Sequence, residues 1–167
     1  MNVIRMSRGQ TLVEFALVIP LFLALLFAIL DFGRVVWAND ALASAAREAA
    51  RFAIVHGGSK TTACPVGPPA NQTVVPPASS SCPYPSPSKQ AIVDVARSYS
   101  VAGGAPITVE VCYGAGCSGN TDVAPPTNQR GTPVTVTVSS TVDLVTGQFL
   151  GRGSFNLSSK ATMLVNH

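Results

Sequence analysis

Residues 11–30 read TLVEFALVIPLFLALLFAIL, a stretch of twenty in which only Glu14 is charged. As a helix rising about 1.5 Å per residue, this stretch matches the roughly 30 Å of a bilayer's hydrocarbon core. The helical pattern does not stop there. Residues 38–54, ANDALASAAREAARFAI, are mostly strong helix formers with neither proline nor glycine. His56-Gly57-Gly58 then supplies a stop. One helix over residues 11–55 would be about 65 Å long, and Pro20 is expected to kink it. Within it Ala38, Ala41, Ala45 and Ala49 form a strip of small side chains that would admit close helix–helix approach. Glu48 and Arg51, three apart, can pair.

Residues 57–88 are dense in Pro, Ser, Thr and Gly and read as loop. Residues 88–100, SKQAIVDVARSYS, predict a short amphipathic helix with Ser88 as its cap. Its apolar side would carry Ala91, Ile92, Val95 and Tyr99, and Gly103-Gly104 would end it. Beyond that the pattern alternates, with Val and Thr prominent, over 107–113, 134–144 and 154–165, which predicts three strands. The fold class is α+β: a long N-terminal helix, a short helix and a small antiparallel sheet.

Composition sharpens this picture. Of 167 residues 47% are hydrophobic and only 11% charged, against roughly 25% charged in soluble domains. The apolar excess sits in 11–30, leaving a polar remainder able to build a modest core. The net charge is +3, but Lys60, Lys89, Arg97, Arg130, Arg152 and Lys160 are scattered singly. No concentrated positive face results, which argues against a nucleic-acid partner. Arg5 and Arg8 precede the apolar stretch, whereas Asp31 and Arg34 follow it and nearly cancel. The positive-inside bias therefore puts the N-terminus in the cytoplasm and the chain after residue 34 across the membrane. A secretory signal peptide would have an apolar region of about 7–15 residues and a nearby small-x-small site. Here the run is longer, and Ala41-Leu42-Ala43 lies more than ten residues past its end.

Glu14 is the chemically informative position. A carboxylate at hydrocarbon depth costs about 2.5–3.5 kcal/mol and calls for a partner, unless it sits at headgroup level and stays wet. The surrounding Arg8-Gly9-Gln10-Thr11-Leu12-Val13-Glu14-Phe15 resembles the processing signal of type IV prepilins. The resemblance implies a cut by prepilin peptidase between Gly9 and Gln10. It also implies that Glu14, the fifth residue after the cut with Phe15 beside it, meets the N-terminal amine of a neighbouring subunit. Such pairing would relieve two charges of much of their desolvation penalty. Residues 8–53 also look like the N-terminal region of TadE/TadG proteins of the tight-adherence (Flp) pilus system. Glu14-Phe15-Ala16, Pro20, Asp31-Phe32-Gly33-Arg34 and Ala45-Ala46-Arg47-Glu48-Ala49-Ala50-Arg51 carry that likeness. Flp-type major pilins are very short, and this chain has more than a hundred residues past the membrane stretch. The likeness thus implies a minor pseudopilin with a cytoplasmic leader (1–9), a membrane and extended helix (10–56) and a periplasmic domain (57–167). Its partners would be the bacterial inner membrane, prepilin peptidase, other pilins or pseudopilins and the assembly machinery.

All four cysteines follow the membrane stretch and so would face an oxidising compartment. Of three possible connectivities, local pairing is simplest: Cys64 with Cys82 closes the proline-rich loop, and Cys112 with Cys117 closes a turn. There is no CxxC pair, and neither His56 nor His167 lies at ligand spacing, so no metal or cofactor is expected. Gly114-Ala115-Gly116-Cys117-Ser118-Gly119 fits GxGxxG, but prolines at 125, 126 and 133 occupy the place of the required helix. It reads as a turn. No nucleophile–base pattern or small-molecule site is visible, and the acids Asp94, Glu110, Asp122 and Asp143 stand apart in sequence, so no enzymatic activity is expected. The alternative to a processed pseudopilin is an unprocessed single-pass anchor whose periplasmic domain binds an envelope partner.

Overall fold

The computed structural model describes residues 8–57, 64–68, 88–100, 106–123, 127–147, 151 and 153–166. Helix α1 (Arg8–Val55) is a single element of 48 residues, about 70 Å long. Pro20 lies inside it without ending it. Proline removes one backbone hydrogen bond, and the strong helix formers on either side maintain the rest. The helix is long and apolar enough to cross a membrane, and its most apolar window is wholly uncovered. It ends at Val55 as His56 stacks on Phe52 with ring centroids 4.1 Å apart.

Helix α2 (Gln90–Tyr99) follows, then strands β1 (Ile107–Tyr113), β2 (Pro133–Asp143) and β3 (Ser154–Leu164) in an antiparallel sheet of order β1-β2-β3. The α+β architecture matches the sequence expectation, with strand limits within one residue. Register follows side-chain chemistry. Val134, Val136, Val138 and Val142 of β2 are buried, whereas Thr137, Ser139 and Thr141 alternate with them on the less covered face. Val136 pairs with Ala161 and with Val111, placing three buried side chains in one row across the sheet.

The core lies between this face and the second half of α1. Leu42, Ala45, Ala46, Ala49, Ala50 and Ala53 are all fully buried against Ile92, Ala96 and the sheet valines. Alanine there is a geometric requirement, since small side chains let a helix axis approach a packed sheet and a second helix closely. The alanine strip is therefore occupied by the chain's own domain. The buried side of α2 keeps Ile92, with Ala91 and Val95 packed partly buried against the core as expected, but adds Ala96 and loses Tyr99. Ile92 and Ala96, four apart, are buried, and Tyr99 is half exposed. The contact line follows the helical period through 92 and 96, and Tyr99 in the final turn lies beyond it. Ser88 Oγ accepts from the Gln90 N–H at 3.1 Å, close to the expected capping role.

The outer edge of β1 is closed by the turn after it. Val111 N–H donates to Asn120 Oδ1 (3.0 Å), Tyr113 N–H to Asp122 Oδ1 (2.8 Å), and Val123 N–H to the Tyr113 carbonyl (2.9 Å). A free strand edge is thereby satisfied rather than left as a template for pairing. The Cys112–Cys117 disulfide closes this turn as expected, and Lys89 Nζ reaches Asp122 at 2.7 Å. Gly114 (φ +109°) admits no side chain there, because a Cβ would sit 2.5 Å from Val123 Cβ. Burial and, secondly, Asp122 push the Tyr113 phenol well above its ordinary range. Cys64 is also in a disulfide, and its expected partner Cys82 lies outside the described residues.

Substituting Ala49→Leu should overpack the helix–sheet contact and destabilise the domain by about 1–3 kcal/mol. Ser44→Leu on the exposed side of the same helix should change stability by less than about 0.5 kcal/mol. Denaturant titration of the detergent-solubilised chain distinguishes the two, and equal effects would contradict this packing.

Candidate functional site

The residues singled out by sequence fall along the first half of α1. Gly9 lies in the opening turn with nothing within 4 Å of the position a Cβ would take. The peptide to Gln10 is helical, so a peptidase that takes its substrate extended would have to unwind this first turn. Glu14 and Phe15 are exposed, Phe15 at 64%. Among the described residues Glu14 has no ion-pair partner. Apolar side chains surround it on a helix whose apolar residues from Leu12 to Leu30 are all exposed. That distribution suits lipid or neighbouring helices.

A second charged position was not singled out as a site. Asp31, one residue past the apolar run, is only 4% exposed. Its carboxylate accepts three hydrogen bonds from the loop joining β2 to β3: Val145 N–H at 3.1 Å, Thr146 N–H at 2.8 Å and Thr146 Oγ1–H at 2.6 Å. Arg34 lies 4.0 Å away with its side chain half exposed, a weak supplement. The Thr146 hydroxyl and N–H, with Val145 N–H and Arg34 adding less, hold the Asp31 carboxyl below its ordinary value against the opposing effect of burial. In the sequence Asp31 reads as a charge that Arg34 nearly cancels, within the Asp31-Phe32-Gly33-Arg34 step. The signal that reveals its role is periodicity. Positions 31, 38 and 45 are seven apart, two helical turns each, so Asp31 continues the buried strip of Ala38 and Ala45.

The clamp fixes the direction of the sheet. At the far end Asn166 N–H donates to the Ile54 carbonyl at 3.2 Å. Asp31 and Ile54 are about 35 Å apart along a helix, and the eleven residues of β2 span about 34 Å. Helix and strands therefore run side by side, tied at both ends, with the β2–β3 loop at the end of the membrane stretch. Of the acids that stand apart in sequence, Asp122 pairs with Lys89 at 2.7 Å and Asp94 lies 3.8 Å from Arg97. Among the described residues no three His, Cys, Asp or Glu side chains converge as a metal site would require.

Replacing Asp31 with Asn should lower the denaturation midpoint of the detergent-solubilised chain at neutral pH. Because the folded carboxyl is held below the ordinary 3.8, its contribution is fully present above that value. It is lost as pH falls through the lowered folded value. The difference between wild type and Asp31→Asn should thus persist at pH 5 and shrink only under stronger acid. A difference that vanishes between pH 7 and pH 5 would contradict the clamp.

Comparison with known proteins adds one finding. Residues 9–51 match the family model described as TadE-like protein. No curated protein and no solved structure gives a significant match. The matched segment covers about a quarter of the chain and contains Gly9, Glu14, Asp31 and most of the buried alanine strip. Residues 9–51, the membrane stretch together with the helix that the sheet packs on, are thus a TadE-like segment.

Proposed function

We propose that the chain is a minor pseudopilin of a tight-adherence (Flp, type IV) pilus system, cut by prepilin peptidase between Gly9 and Gln10. In this reading the leader is cytoplasmic, the helix spans the bacterial inner membrane, and the disulfide-bearing domain lies in the periplasm. The observation that carries it is the TadE-like segment superimposed on an exposed apolar stretch whose one carboxylate, Glu14, has no ion-pair partner among the described residues. Cleavage would create a cation at Gln10, one helical turn before Glu14. Helical side chains lean toward the N-terminus, so the new amine of the same chain or of a neighbour comes within reach of that carboxylate. A pair made between subunits would register adjacent helices at one depth, as an assembly subunit requires.

The unprocessed anchor is the second reading, and one observation favours it. The alanine strip that would admit another subunit is covered by the chain's own domain.

The mature protein's N-terminal residue and mass, measured in cells with an active prepilin peptidase, decide between the two. The pseudopilin reading expects a start at Gln10 that is lost in Gly9→Ala. It also expects Glu14→Ala to be cut normally yet to fail in co-purifying with other pilus subunits. An unprocessed chain, or a Glu14→Ala variant that assembles as wild type, would defeat it.

A further inference from the structure

We propose that the membrane-proximal end of the domain, the start of the β2–β3 loop with Trp37 and Phe155, rests on the lipid headgroups of the leaflet that α1 leaves. The inference depends on residues 11–30 spanning the bilayer and goes beyond it by assigning a lipid-contacting surface to the sheet domain.

The argument is one of level. If 11–30 fills the hydrocarbon core, Asp31 stands at its boundary with the headgroups. Three hydrogen bonds from Val145 and Thr146 to Asp31 bring the loop to that same level. Val145 is 45% exposed there. Phe155 pairs with Val142, three residues up the strand, so it lies about 10 Å farther out. On α1, Trp37 is six residues past Asp31, about 9 Å along the axis. The headgroup layer is about 5–8 Å deep; the Trp37 side chain leans toward the helix N-terminus and so back into it, and Phe155 lies at its outer edge. Phe155 is 52% exposed although it sits on the helix-facing side of the sheet, and Trp37 is 51% exposed. Tryptophan favours this interface because its ring buries apolar surface while its N–H stays wet.

Exposure alone would not single out this end, since Leu164 is also exposed. Leu164 pairs with Pro133 at the opposite end of β2, more than 30 Å from the bilayer boundary. Depth therefore selects the patch. The level that the Asp31 hydrogen bonds impose on the loop, at the end of an exposed apolar helix, identifies lipid as the occupant.

Trp37 is the sole tryptophan, so a Trp37→Phe background allows single-tryptophan variants of the full chain in phosphatidylcholine vesicles. Phe27→Trp reports on the membrane helix, Val145→Trp and Phe155→Trp on the proposed contact, and Leu164→Trp on the distal end. Lipids brominated high on the acyl chains should quench Val145→Trp strongly and Phe155→Trp more weakly, each with a blue-shifted emission, and leave Leu164→Trp unaffected. If Phe27→Trp is quenched but Val145→Trp and Phe155→Trp are not, the domain stands off the bilayer and the proposal falls while the membrane helix survives. If Phe27→Trp is also unquenched, the span itself fails. A blue shift at Val145→Trp without quenching, lost on dilution to one chain per vesicle, would assign the patch to a second copy and overturn the lipid contact.

Discussion

The orientation of the domain depends on one buried carboxylate. Asp31 lies where the apolar stretch of α1 ends, and it gathers the Val145 and Thr146 donors of the β2–β3 loop. Without such an acceptor those donors would have to find water beside an apolar surface. With it, the loop, both strands that flank it and the second half of α1 become one body. Hydrogen bonds to a charged acceptor are stronger than neutral ones, and three converge on this side chain. No other described contact ties the hairpin loop to α1 by a charge.

This arrangement makes α1 serve two environments in succession. Its first half offers apolar side chains on all sides, as a helix in lipid or among other helices should. Its second half is an amphipathic core helix. Alanines at 45, 46, 49, 50 and 53 face α2 and the sheet, while Arg47 and Arg51 face outward. The change occurs between Asp31 and Ala38. Because the helix is continuous across it, motion of the membrane half is transmitted rigidly to the sheet. In the proposed assembly role, such a helix would present the domain at a set height relative to the bilayer.

Much of this was legible in the sequence, for physical reasons that differ by region. The membrane stretch is uniform and long, so length alone identifies it. The strands alternate Val with Thr because one sheet face is covered and the other is wet, a pattern of period two. The local Cys112–Cys117 closure follows from a short, glycine-rich turn. Other features needed three dimensions. The covered side of α2 is decided by what it packs against, so Ile92 and Ala96 could not be separated from Ala91 and Tyr99 by composition. The alanine strip reads equally well as a surface for another subunit or for the chain's own sheet. The clamp at Asp31 is not local: its partners are 114 and 115 residues away. Its place on the strip with Ala38 and Ala45 was nonetheless visible in the spacing. The prepilin-like signal around Gly9 and Glu14 concerns chemistry outside the fold, and the TadE-like match spans both residues.

Hydrogen exchange of the Val145 and Thr146 amides in the full chain, held in detergent at neutral pH, tests the clamp most directly. If Asp31 holds the loop, both amides exchange slowly in the wild type and much faster in Asp31→Ala, while the β1–β2 amides keep their protection. Rapid exchange of Val145 and Thr146 in the wild type would mean that the loop is not held, and the fixed orientation of the domain on its helix would be contradicted.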